Sequence, residues 1–276
     1  MQTFRRSSEI ITFLDNLPKG SRIGFVPTMG ALHQGHAALI DRSVAENEIS
    51  ICSIFVNPLQ FNRVEDLATY PNRMEADRKL LQDHHCDLLF IPTKDDIYHD
   101  EMRLDYDFGS IGQGMEAEYR PGHFQGVAEV IHRFFNILKP THAYFGEKDY
   151  QQLAIIRWLV ERHDHSVKVV PCETVRDANG LAMSSRNYNL SKHQYDLASK
   201  IYEVLKACRH NKGELPPPEL AQECLNHLKQ EFKPEYFTIA DQFSMVPLEK
   251  WSDSDYPRAF VAAYCGSVRL IDNIAL

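Results

Sequence analysis

The sequence predicts an α/β protein: a Rossmann-like parallel sheet in an N-terminal domain, with a smaller α+β C-terminal domain. Three observations carry the prediction. Up to residue 176, short apolar runs alternate repeatedly with stretches of helical spacing, the order that builds a parallel sheet through right-handed crossovers. ISICSIFV is a continuous β-branched run, as in a strand buried on both faces, and DLLFIP reads as another buried strand. Beyond residue 176 the alternation stops, and two helical stretches are followed by three strand-like runs. The domains are therefore placed at residues 1–176 and 177–276.

Each element has a local reason. MQTFRRSSEIITFL at the N-terminus is read as a helix; Ser, Glu and Thr break its apolar stretch and no cleavage site is evident, so it is not a signal peptide. RIGFVPT (residues 22–28) is a strand ending in a turn, and HQGHAALIDRSVAENE follows with helical spacing. ISICSIFV is a β-branched strand that ends at Asn57-Pro58. The chain is helical after Pro71, then DLLFIP forms a strand. GVAEVIHRFFNILKP is an apolar helix stopped by Pro140. THAYFG is a strand, DYQQLAIIRWLVERH a helix and VKVVPCETV a strand. In the second domain, SKHQYDLASKIYEVLKACRH reads as one amphipathic helix with Ser191 as N-cap. Pro216 to Pro218 mark a boundary, ELAQECLNHLKQEF is a second helix, and EYFTIA, RAFVAAYCG and RLIDNIAL are strand-like.

Composition narrows the function. The 276 residues are 43% apolar and 25% charged, ordinary for a globular chain and too apolar for global disorder. Lys and Arg number 30 against 38 Asp and Glu, a net charge of −8. Such a chain lacks the field of a nucleic-acid wrapper, though a local basic pocket for a phosphorylated small molecule remains allowed. No run of ~18 apolar residues exists, so no membrane span is expected. Cys52, Cys86, Cys172, Cys208, Cys224 and Cys265 show no CxxC or Cys/His metal spacing. They read as scattered thiols of a reducing cytoplasm, with no protein-held metal, no nucleic acid and no membrane partner.

The strongest local signal is PTMGALHQGH, residues 27–36, which follows a strand and opens a helix. Ligands of open α/β sheets bind at the carboxyl ends of strands, where a helix N-terminus offers free N–H groups and positive potential to phosphate. Gly30 and Gly35 let the backbone approach a ligand. His33 and His36 lie three residues apart, so in a helical turn both rings share one side. Two imidazoles there can donate to oxygens that gain charge during displacement at phosphorus.

The second signal is GLAMSSRN, residues 180–187, where Ser184 and Ser185 can donate to phosphate and Arg186 can grip it with a planar fork. In the third, FGEKDYQQL (145–153), Lys148 supplies a cation, Asp149 can accept from a ribose hydroxyl, and Gln152 can reach a polar substrate. FVNPLQF (55–61) places the amides of Asn57 and Gln60 after a buried strand, and YRPGHFQG (119–126) offers Arg120 and His123 in a flexible loop. The remaining histidines, among them His84, His85, His163 and His165, read as solvated. No Ser-His-Asp triad, P-loop lysine motif or GxGxxG is seen.

Taken together, PTMGALHQGH, SIFVNPLQF, RPGHFQGV, FGEKDYQQL, GLAMSSRN and the closing RLIDN resemble, in order and spacing, the pantothenate synthetase (pantoate–β-alanine ligase) family of the HxGH nucleotidyltransferases. MSSRN looks like that superfamily's counterpart of the KMSKS loop. The resemblance implies that ATP and (R)-pantoate give pantoyl adenylate and pyrophosphate, with Mg²⁺ on the nucleotide, and that β-alanine then displaces AMP. It implies ATP contacts from Met29, Gly30, Ala31, Leu32, His33, Gln34, Gly35 and His36. Further ATP contacts are implied at Gly146, Glu147, Lys148, Asp149, the backbone of Val175, and Met183, Ser184, Ser185 and Arg186. It makes His36, His33, Lys148 and Arg186 the catalytic set, with His36 stabilising the α-phosphate in the transition state. Gln60, Gln152 and Asn57 would bind pantoate and β-alanine, and a homodimer through the larger domain is implied. Leu59 stands where the family has methionine, Asn179 replaces an acid, and the LEG before Arg120 is missing. Two other readings stay open: an adenylyl- or cytidylyltransferase for a phosphorylated acceptor, and a nucleotide-binding dimer without catalysis.

Overall fold

Six short runs form one parallel sheet: β1 (Gln2–Phe4), β2 (Ile23–Thr28), β3 (Ile49–Ile54), β4 (Leu88–Phe90), β5 (His142–Gly146) and β6 (Lys168–Cys172), in the order β1-β4-β3-β2-β5-β6. The computed structural model describes residues 1–61, 67, 70–98 and 105–276. The chain divides into two compact units, Met1–Asp107 with Arg120–Glu147 and Ile155–Glu173, and Phe108–Tyr119 with Lys148–Ala154 and Thr174–Leu276.

In the first unit, β2 pairs in parallel with β3 from Ile23↔Ile49 to Thr28↔Ile54, and on its other edge with β5 through Gly24↔His142 and Phe25↔Ala143. The strand order reverses between β2 and β5, the switch point at which open α/β sheets leave a crevice beyond their carboxyl ends. Helices α1 (Ser7–Asp15), α2 (Gln34–Glu46), α3 (Met74–Asp83), α4 (His123–Leu138) and α5 (Tyr150–Arg162, in this unit from Ile155 onward) connect the strands. Phe134 of α4 gathers the rings of Phe25, Phe55 and Phe90 at centroid distances of 5.4, 6.2 and 6.1 Å. Edge-to-face contacts of this kind bury large apolar area and fix one packing.

The second unit carries a three-stranded antiparallel sheet, β7 (Lys233–Asp241), β8 (Pro257–Cys265) and β9 (Val268–Ala275), in sequence order. One face of it shares a core with α6 (Lys192–Ala198), α7 (Lys200–His210) and α8 (Pro217–Leu228) through Ile201, Leu205, Leu220, Val261 and Leu270. The α/β first unit and α+β second unit are the predicted fold class.

Four local readings are corrected. Residues 2–4 form strand β1 beside β4, and the helix begins only at Ser7; three residues are too few to display a period. The stretch after Ser191 is two helices, because the Ser199 hydroxyl donates back to the Asp196 carbonyl at 2.9 Å where the first one ends. Ser191 does cap, accepting from Gln194 N. His123 is not in a loop but begins α4, with its ring buried. His163 and His165 are half-buried among aromatic rings rather than solvated. All six cysteines are free and buried. Among the described residues no helix is long and apolar enough to cross a membrane.

Candidate active site

The turn between β2 and α2 is built around two residues with positive φ, Gly30 at 82° and Ala31 at 51°. A Cβ on Gly30 would lie 3.1 Å from both Asp77 Oδ2 and Ile54 Cγ2, so glycine answers both a steric and a conformational demand. Ala31 bears a left-handed conformation that costs an L-residue ~1–2 kcal/mol. The buried carboxylate of Asp77, on α3, offsets that cost by accepting the N–H of Ala31 at 2.9 Å and of Leu32 at 2.7 Å. Burial raises the Asp77 pKa, and the two N–H bonds pull it back.

His33 is the N-cap of α2, and its Nδ1 accepts from Gly35 N at 3.1 Å. His33 N in turn donates to His36 Nδ1 at 3.3 Å. A backbone N–H can only donate, so in each neutral ring Nδ1 is the acceptor and the proton sits on Nε2. The two rings lie 4.1 Å apart between centroids. The turn thus presents two Nε2–H donors at the N-terminus of a helix, beside the reversal of strand order. Dipole and donors act together on an anion there.

Asn57 and Gln60 cap and close a single 3-10 turn after β3. Leu59 N donates to Asn57 Oδ1 (3.2 Å), and Asn57 Nδ2 donates to the Gly126 carbonyl (2.9 Å). These two backbone groups fix which way the amide faces. Tyr98 O–H adds a bond to Oδ1 (2.7 Å), and Nδ2 also donates to Gln60 Oε1 (3.2 Å). Gln60 is therefore oriented with Nε2 outermost, against Met29 Sδ at 2.8 Å. His123 completes the frame. Arg120 Nη1 lies 3.0 Å from its Nε2 and must be the donor, so Nδ1–H donates to the Gln60 carbonyl at 2.9 Å. A Cβ on Gly126 would stand 2.4 Å from Leu59 O, so α4 approaches the turn this closely only with glycine there. Gly146 and Glu147 follow at the end of β5.

In the second unit, Lys148, Ser184, Arg186 and Asn187 line one shallow cleft, with Arg269 and Asp272 on its wall. Lys148 Nζ lies 3.6 Å from Asp149 Oδ1. Ser184 caps the 3-10 turn Ser185–Asn189, accepting from Arg186 N at 3.3 Å. Among the described residues Arg186 has no ion-pair partner, so its charge is available to an anion. The carbonyl of Val175 accepts from Met183 N at 2.9 Å, which closes the hairpin that leads into Met183–Arg186. Gln152 is half-buried, whereas its neighbour Gln151 is spent internally, donating to Ile111 O and accepting from Glu116 N.

Sequence reasoning missed Asp77, which lies 46 residues from the backbone it holds, a separation no local pattern reveals. It also passed over Asp272 and Asn273 as site residues, although an acid and an amide set between Ile271 and Ile274 in a strand-like run were a visible signal. Among the described residues no group of three or more His, Cys, Asp or Glu side chains is arranged to hold a metal ion.

The sequence profile of the pantoate-beta-alanine ligases matches residues 2–275. The pantothenate synthetase of Azobacteroides pseudotrichonymphae is 48% identical over 255 residues, 91% of each chain, and that of Porphyromonas gingivalis W83 is 40% identical over 99% of each. Among solved structures, the pantothenate synthetase of Thermus thermophilus superposes with a TM-score of 0.91 at 40% identity, covering 99% of both chains. The pantoate-beta-alanine ligase of Francisella tularensis, solved with beta-gamma ATP and beta-alanine, superposes at 0.84 with 36% identity, covering 100% of this chain and 97% of its own. Sharing that profile, fold and sequence over almost its full length, the chain belongs to the pantoate–β-alanine ligase family.

Proposed function

We propose that this chain condenses (R)-pantoate with β-alanine to pantothenate in two steps, through a pantoyl adenylate. In the first, a pantoate carboxylate oxygen bonds to the α-phosphorus of ATP and the bond to pyrophosphate breaks. In the second, the β-alanine amine bonds to the acyl carbon, loses a proton, and AMP leaves. The observation that carries this reading is the pair of Nε2–H donors that His33 and His36 present at the N-terminus of α2. A carboxylate and ATP repel each other, and donors aimed at developing phosphoryl charge are what lowers that barrier.

The roles follow from chemistry. Met29 through His36, with Gly146 and Glu147, serve the nucleotide, and His36 stabilises the α-phosphate. Lys148, Ser184, Ser185 and Arg186 offset phosphate charge, Asp149 takes ribose, and Val175 and Met183 supply further ATP contacts. Gln60 and Gln152 bind the organic substrates as neutral amides. Asn57, with both ends of its amide engaged inside the protein, serves them by orienting Gln60. The neutrality of these amides favours a carboxylate-bearing acceptor over a phosphorylated one. Mg²⁺ bound with the ATP phosphates would supply further charge compensation, with Asp149 and Glu147 as the carboxylates of the ATP-binding segments. The enzyme works as a cytoplasmic homodimer.

Exchange of labelled pyrophosphate into ATP tests this directly. It is expected with pantoate and Mg²⁺ present and β-alanine omitted. Folded protein that shows no pantoate-dependent exchange would refute the reading.

A further inference from the structure

The RLIDN segment, residues 269–273, lies in β9 (Val268–Ala275). Two of its side chains, Asp272 and Asn273, are only 6% and 4% exposed although both are polar. Neighbours in a strand point to opposite faces, and each of these two meets a different segment of the second unit.

Asn273 Nδ2 donates to the main-chain carbonyl of Lys148 at 2.9 Å. Its Oδ1 accepts from Arg258 Nη1 at 2.5 Å, and the Arg258 guanidinium lies 3.8 Å over the ring of Tyr150. Arginine can only donate and a carbonyl only accept, so the Asn273 amide has one allowed orientation. Residues 148 and 150 are held from one point on β9.

On the other face, Asp272 takes a bidentate fork from Arg176, Nη1 to Oδ2 at 2.5 Å and Nη2 to Oδ1 at 2.9 Å. Asp272 Oδ1 also accepts from Asn273 N at 2.8 Å, which joins the two clamps. Arg176 opens the hairpin that leads to Met183–Arg186. It bridges to Ala182, donates to the Gly180 carbonyl at 3.2 Å, and lies 3.7 Å over the ring of Tyr202. Planar, bidentate geometry of this kind fixes direction as well as distance.

We infer that Asp272 and Asn273 are positioning residues for adenylation. Asn273 sets the backbone from which the Lys148 side chain springs, and Asp272 sets the root of the loop that carries Ser184 and Arg186. One two-residue step of β9 therefore places both cationic segments of the cleft. This rests on the proposed ligase reaction. Misplacing a charge by about 1 Å costs up to ~10²-fold in rate.

The test is Asn273→Asp, which keeps size and the Arg258 bond but turns a donor into an acceptor facing the Lys148 carbonyl. Two rates are read on the same sample: pantoate-dependent exchange of labelled pyrophosphate into ATP, and aminolysis of supplied pantoyl adenylate by β-alanine. Loss of folded protein lowers both equally and cancels in their ratio. The expected result is a tenfold or greater fall in exchange relative to aminolysis, with a raised KM for ATP and an unchanged KM for β-alanine. An unchanged ratio overturns the inference, whereas absent exchange in the unsubstituted enzyme overturns the ligase reading instead. Should Asn273→Asp not accumulate folded, Asp272→Asn carries the same ratio test on the hairpin side, with a several-fold shift expected. Asn273→Ser, which retains a donor, should recover part of the loss.

Discussion

The first unit holds two groups of histidines in opposite ways. His33 and His36 sit at a helix N-terminus with backbone N–H groups on both Nδ1 atoms, so each ring's Nε2–H projects from the backbone. His132, His163 and His165 bond and pack to one another instead. His165 Nε2 lies 3.0 Å from His132 Nδ1, and the rings of Phe135, Tyr106 and Trp158 close around the group. Burial does not separate the two sets, since all five rings are intermediate in exposure. What separates them is the bonded partner of a ring nitrogen: a backbone N–H for His33 and His36, another imidazole for His132 and His165. A ring tied to the backbone by one nitrogen offers the other as an oriented donor. A ring tied to another ring is bound by a shared hydrogen bond, and an added charge is unfavourable for both.

The largest test of this contrast is His36→Ala. Removing one preorganised donor from developing phosphoryl charge is expected to lower pyrophosphate exchange by about 10²–10³-fold. Stability should fall by only ~1 kcal/mol, the value of a lost cap bond. Exchange rates and a denaturant titration on one preparation check both, and a near-normal rate would remove His36 from the chemistry. Next in size is Asp77→Ala, which leaves the buried N–H groups of Ala31 and Leu32 without their acceptor. A cost of roughly 3 kcal/mol in unfolding free energy is expected, together with a slower exchange rate because Ala31 loses what holds its left-handed turn. An unfolding free energy falling by less than ~1 kcal/mol would mean that water replaces the carboxylate without loss.

These residues mark the boundary of what the sequence discloses. The β2 strand, the helix start at Gln34 and the proximity of two rings at three-residue spacing all follow from local chemistry, and the structure contains them. The family match confirms the reaction class inferred from six ordered segments. Local chemistry fails where the partner is distant. Asp77 meets Ala31 across 46 residues, and His132 meets His165 across 33. Nothing in HRFFN or RHDHS indicates a common cluster, so local sequence points His163 and His165 to solvent, whereas the fold half-buries both. Strand β1 escaped notice for a related reason, because its three residues acquire a role only from β4.

The smallest expected effect concerns the enclosed group. Burial first, then the neighbouring His132 and His163, bring the His165 pKa down to about 4, and His132 is lowered as well, by burial first and His163 next. Arg133 opposes a charge on His132 and Glu129 favours one. In the unfolded chain a histidine titrates near 6.5. Between pH 6.5 and pH 4 the unfolded chain therefore binds a proton that the folded one refuses, so this contribution is complete above 6.5 and is lost as pH falls. Allowing for solvent at a half-buried ring, the loss is ~1 kcal/mol, a shift of about 2–4 °C in Tm for a chain of this size. His165→Gln keeps a hydrogen-bonding group but cannot titrate. Its Tm should fall by those few degrees less than the parent's between pH 7 and pH 4.5, with the carboxylates cancelling between the two proteins. Parallel Tm–pH curves would show that the enclosed histidines accept protons as readily as exposed ones. The contrast with His33 and His36 would then rest on the direction of the rings alone.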